Sequence, residues 1–456
     1  MAQKTLINDM TEGKIGANLL RFSFPLMLTN LLQTLYNMVD MIVIGRFSGS
    51  VGLSAVSIGG EVLMMLTFMS MGLCGAGQII IAQYVGAKDK ENVSRSVGTM
   101  FTVVLCSAAA VSLLFLFITK PLLTVMNTPE EAFHFTFQYV ITCVIGLVFI
   151  YGYNIVCAIM RGMGNSRQPL IFVAIAAVTN LILDLLFVAV FKMEVFGTAL
   201  ATVIGQAVAF ICSLIYLYAH KEAFNFDFRP SSFKPDKNIT SILIKLGIPM
   251  CLQSGAICAS MLFVGAFINK YGVVRVAITG VGNRLGSVAS VVCMAISTSC
   301  GSVIGQCVGA RKYERVPRTI GVALMINCAF TILLSAIMII TPRGVFGLFD
   351  QDPEVLDLAV IYVPVAVINF MGFAFRSPFF GLVNGVGNPT LNLMVGLFDG
   401  VICRIGLTYL LGVIMGFGIQ GFWYGTALAG YAPFVIGFIY YLSGKWRGKS
   451  LIAGRK

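Results

Sequence analysis

The chain has 456 residues, 58% of them hydrophobic and only 11% charged, with a formal net charge of +12 and a mean hydropathy of +0.90. An apolar share this far above that of soluble domains excludes a water-soluble globular protein, a disordered chain and a nucleic-acid-binding domain. The surplus of Lys and Arg fits basic loops on the cytoplasmic face of a membrane protein.

The first fifteen residues are polar and mixed in charge, and hydrophobicity then runs to Ile44. That stretch is too long for a signal peptide and predicts a retained first span. Charges and turn residues cut the chain into twelve apolar segments near 16–45, 52–82, 96–119, 134–160, 169–191, 195–218, 240–269, 276–306, 319–341, 356–383, 391–415 and 419–443. Each is long enough to cross hydrocarbon as a helix of about 20 residues. An even number places both termini on one side. Loops on that side carry 21 Lys and Arg, Lys4, Arg455 and Lys456 among them, against six on the other. Both termini are therefore expected in the cytoplasm, in a multi-pass protein of the cytoplasmic (inner) membrane.

The longest polar break, Ala219 to Asn238, divides the chain almost in half and exposes an internal repeat. Pro25 answers to Pro249 and Gln83 to Gln306; Arg161 in RGMGNSRQP pairs with Asn384 in NGVGNP, and FGTALATVIGQ with QGFWYGTALAG. The expected architecture is all-α and integral to the membrane: twelve transmembrane helices in two six-helix lobes. Residues 1–218 form the first lobe, 219–238 a cytoplasmic linker and 239–456 the second. Six is even, so the second lobe re-enters from the same side, and a pseudo-two-fold axis along the membrane normal should relate the two.

Intramembrane acids are the sharpest chemical signal, because an ionisable group at depth is costly. Four lie clearly within spans: Asp40, Glu61, Asp184 and Asp399. In the first span Gln33, Tyr36, Asn37 and Asp40 fall at i, i+3, i+4 and i+7, a polar stripe that cannot face lipid. In the fifth, Asn180 and Asp184 are four apart and so adjacent. Such stripes either bond neighbouring helices or hold a cation or proton. The twelve cysteines form no CxxC pair, and His134 and His220 stand alone, so no cofactor is expected.

The layout, with LYNMVDMIVIGRF, QYVGAKDKENV, RGMGNSRQP, TNLILDLL and GTALATVIGQ in order, resembles the multidrug and toxic compound extrusion (MATE) family over nearly the whole chain. The resemblance implies a V-shaped pair of lobes that exports organic, often cationic, compounds by antiport with H⁺ or Na⁺. It implies a cation site in the first lobe, at positions matched here by Gln33, Tyr36, Asp40, Asn154, Asn180, Asp184 and Thr202. Oxygens of Asp40, Asp184, Asn180 and Thr202 could coordinate Na⁺, or the acids could exchange a proton. Pro25 matches a proline associated with helix bending, and its expected role is a hinge. One departure is that Lys237 to Tyr313 holds no Asp or Glu, so the seventh span cannot supply the acid some Na⁺-coupled members use.

Secondary candidates for a cavity wall are Glu61, Asn37, Met64, Met65, Met69 and Asp399. Asp399 and Arg404, five apart, are expected on different helix faces. No phosphate loop or nucleophile triad appears, so an enzyme or an ATP-driven pump is not expected. Three expectations follow: xenobiotic or multidrug efflux by a cation-coupled antiporter acting on a small organic substrate, a bilayer environment, and a monomer. A flippase for lipid-linked oligosaccharide or peptidoglycan precursors is the alternative.

Overall fold

The computed structural model describes residues 7–349 and 351–452, and every regular element among them is helical. Lys4, Arg455 and Lys456 of the basic count lie outside the described residues. The first helix, α1 (Ile15–Gly86), has 72 residues. At a rise of about 1.5 Å per residue it would measure over three hydrocarbon thicknesses. Gly49 breaks it, with φ 63° and ψ −160°, a conformation that costs little only without a Cβ. Two spans result. α2 is Lys90–Val125, capped by Asp89, whose carboxylate accepts the Asn92 N–H at 3.0 Å.

α3 (Glu130–Ile145) and α4 (Leu147–Gly162) meet at a 51° bend. A Cβ on Gly146 would lie 2.5 Å from Val203, so glycine lets the bend close on the helix behind it. α5 is Arg167–Asp184 and runs on as a π-helical turn, Leu185–Val190; α6 is Glu194–Ala219. The second half has α7 (Lys237–Ile268), α8 (Val273–Gly309), α9 (Arg315–Ile340), the short α10 (Pro342–Gly347) and α11 (Pro353–Val386). α12 (Pro389–Gly396) continues through π-helical turns Leu397–Ile405 and Leu410–Ile414, with α13 (Gly406–Tyr409) between them, before α14 (Gly418–Ala429) and α15 (Ala432–Leu442). Among the described residues ten helices are long and apolar enough to cross a membrane, and eleven spans result when the bent α3–α4 pair counts as one. The two halves of α1 bring the total to the expected twelve.

The chain divides into two compact units. The first is Pro25–Gly247 with Ile7 and Asn8; the second is Asp9–Phe24 with the chain from Ile248 onward. The start of α1 thus sits with the second unit, where a boundary drawn from hydropathy alone leaves it in the first. Polar contacts account for this: the Met10 N–H donates to Gln306 Oε1 at 2.8 Å, Lys312 Nζ to Thr11 Oγ1 at 3.1 Å and Arg315 to the Gly13 carbonyl at 2.9 Å. Chain passage between the units falls at Pro25 and again beside Pro249. The second unit's core centres on Trp423, which donates to Thr279 Oγ1 at 2.8 Å and stands edge-on to Tyr362 at 5.0 Å.

The segment 219–238 is folded onto α2 of the first unit. Phe226 is buried among Phe228, Phe233 and Phe224, and Phe101 of α2 meets Phe233 at 5.8 Å. Thr102 donates to the Phe233 carbonyl, and the Asp236 N–H donates to Thr99 Oγ1 at 3.0 Å. Close approach is possible because residue 98 is glycine: a Cβ there would lie 1.8 Å from the Ser232 carbonyl oxygen. Gly98→Ala is expected to push this segment off α2 and destabilise the protein by about 1–3 kcal/mol, read as a lowered unfolding temperature in detergent.

Candidate functional site

Asp40 in α1 and Asp184 at the end of α5 are 6% and 0% exposed. Their carboxyl groups approach within hydrogen-bonding reach of each other. Apart from one another, Asp40 Oδ1 and both Asp184 oxygens meet no donor. Two ionised carboxylates are acceptors only, so such a pair is satisfied by a proton between them or by a cation. Asp184 also marks the change from α-helix to the π-helical turn, a distortion frequent where function needs a side chain re-aimed.

Neighbouring residues extend the pair into a polar cluster between the helices. Asn180, one turn before Asp184, is 3% exposed and gives its Nδ2–H to Thr202 Oγ1 of α6 at 3.5 Å, leaving its own Oδ1 buried without a donor. α6 comes this near because of Gly205, where a Cβ would lie 3.1 Å from the Ala176 carbonyl oxygen and 3.2 Å from Asn180 Cβ. The Tyr36 hydroxyl approaches the Gln206 side chain, and Tyr139 and Cys143 of α3 stand within electrostatic range of Asp40. Gly59 makes room for the Tyr139 ring, 2.5 Å from where a Cβ would be.

Gln206, Tyr139 and Cys143 were not among the residues expected from sequence. Gln206 was findable, since it follows Thr202 by one turn in GTALATVIGQ. Tyr139 and Cys143 carried no signal, being ordinary residues of an apolar run.

Other expected residues lie apart from the pair. Asn37 is exposed, so the stripe narrows to the half-buried Gln33 and Tyr36 with buried Asp40. Asn154 turns its Nδ2–H back to the Ile150 carbonyl at 2.9 Å, within its own helix. Among the described residues neither Gln33 nor Asn154 hydrogen-bonds to the acids. Glu61, Met64, Met65 and Met69 are exposed at helical spacing on one face of the first unit. Pro25 is buried in α1, and its carbonyl accepts from Thr29 Oγ1 at 2.8 Å.

In the second unit Asp399 is 1% exposed and bound by two arginines: Arg404 at 2.7 Å and Arg376 of α11 at 3.7 Å. The expectation that Asp399 and Arg404 occupy different faces is corrected. Leu397–Ile405 is π-helical, and its i to i+5 period stacks residues that an α-helix would separate.

Comparison with known proteins gives one family throughout. The MatE family model matches residues 25–186 and 247–410, one stretch in each half. The chain is 27% identical to the "Probable multidrug resistance protein YpnP" of Bacillus subtilis, over 97% of this chain and 98% of that one. It is 24% identical to the "Multidrug export protein MepA" of Staphylococcus aureus, over 84% of each. Among solved structures, an outward-facing MATE family transporter of the MOP superfamily superposes with a TM-score of 0.89 at 21% identity, covering 99% of this chain and all of that one. A MATE structure in the bent conformation gives 0.84 at 22% identity, over 98% of each.

Proposed function

Because the chain belongs to the MATE family, a family of multi-pass membrane transporters rather than enzymes, we propose that it exports organic, often cationic, compounds in exchange for protons. The facing, donor-free carboxyls of Asp40 and Asp184 carry this reading. One proton satisfies the pair, and its loss leaves two like charges together in a buried site. That state is relieved by a rearrangement or by a positively charged guest. Protonation from outside releases the guest and deprotonation readies the site again. The cycle works only because the two states differ in affinity for proton and guest.

Tyr36, Asn180, Thr202 and Gln206 hold the acids in register, and Pro25 is the point in α1 where a change at Asp40 can bend the helix, since it lacks the amide donor of a regular turn. Gln206→Ala is expected to weaken efflux about 5-fold or less, as loss of a supporting contact worth about 1 kcal/mol, in whole-cell dye efflux. Orientation in this reading is with both termini cytoplasmic, in the inner membrane, and the transporter acts as a monomer.

A sodium ion is the second reading, favoured by the donor-free Asn180 Oδ1 beside the acids. Imposing pH and sodium gradients separately on proteoliposomes decides between them. Efflux driven by the pH gradient alone is expected; efflux that needs sodium and ignores pH would overturn proton coupling. The multidrug relatives lend no support to the flippase alternative.

A further inference from the structure

The first unit presents buried carboxylates without donors; the second presents a buried carboxylate outnumbered by guanidiniums. Among the described residues Arg404 Nε is a buried N–H group that meets no acceptor.

Charge tells the same story. Arg376 and Arg404 share a single carboxylate, Asp399, so the cluster carries one positive charge in excess. Between them the two guanidiniums offer ten N–H donors, yet among the described residues the one hydrogen bond they make is from Arg404 to Asp399 Oδ1 at 2.7 Å. Arg376 has its face over the Phe373 ring at 4.6 Å, and at 23% side-chain exposure it is the accessible member. An uncompensated guanidinium away from water is costly unless an anion completes it.

We infer that the second unit holds an anion subsite in which Arg376 and Arg404 take the carboxylate of an exported organic molecule. A planar fork suits a carboxylate's two oxygens. For its ligand class the inference rests on the export reading above. Its test is equilibrium binding, which needs no gradient, so failure of coupling at Asp40 and Asp184 leaves it standing or falling by itself.

The probes are a rhodamine bearing a free carboxylate and its methyl ester, compared by fluorescence polarisation on the purified full chain. The wild-type protein is expected to bind the acid at least tenfold tighter than the ester. Arg376→Gln should bring that ratio close to one; Arg404 still neutralises Asp399 in this variant. Arg376→Lys, which keeps the charge and loses the fork, should give an intermediate ratio and serves if the first variant does not fold. A merely structural role would weaken both dyes alike and leave the ratio intact. Equal binding of acid and ester by wild type, binding of neither, or an unaltered ratio in the folded variants overturns the inference.

Discussion

Asp40→Asn and Asp184→Asn are each expected to remove ion-driven efflux while leaving the protein folded. The amide is close in shape to the acid and stays neutral, so the site keeps its packing and loses its ability to exchange charge. If the coupling between ion and substrate lies in the usual range of about 1–3 kcal/mol, efflux against a gradient should fall roughly 5- to 150-fold. Passive binding of a neutral or zwitterionic dye should survive. The measurement is uptake into inverted vesicles under an imposed pH gradient, with unfolding temperature as the check on folding. Normal transport by both variants would exclude the pair from coupling.

The second large effect is on stability. Asp399→Asn is expected to cost about 3–5 kcal/mol, because it removes the one carboxylate shared by buried Arg404 and half-buried Arg376 and leaves both uncompensated. Adding Arg376→Gln should recover part of that loss, since one of the two stranded charges goes with it. Thermal unfolding of the single and double variants in nanodiscs reads this as a non-additive pair. Equal unfolding temperatures for wild type and Asp399→Asn would mean that solvent already screens the cluster.

Much of the arrangement could be read from the residues alone, and the reasons differ from place to place. Asp40 and Asp184 were legible because a buried acid is expensive and because helical spacing ties each to polar neighbours, Tyr36 in one case and Asn180 in the other. Their mutual approach was not legible, since spacing within a helix says nothing about which helix lies opposite. Asn37 shows the limit of face arguments: on a lipid-embedded helix, a stripe four residues wide spans both a buried and an exposed edge. The pairing of Asp399 with Arg404 escaped because an α-helical period was assumed where the chain is π-helical. Hydropathy drew the segment 219–238 as a linker, yet its phenylalanines pack on Phe101 and its backbone is received by Gly98. A run that is polar on average can still bury its minority of aromatic residues. The start of α1 falls to the second unit through contacts of Lys312 and Arg315 that lie some three hundred residues away in sequence.

Proton counting on substrate binding tests the central claim most directly. Purified protein in weakly buffered detergent solution is mixed with a permanently cationic dye, and released protons are read with a pH indicator. Wild type is expected to release protons in proportion to dye bound, and the double variant Asp40→Asn, Asp184→Asn to release none even at dye concentrations high enough to load its weakened site. Undiminished release by the double variant would contradict the assignment of exchange to these two carboxyls.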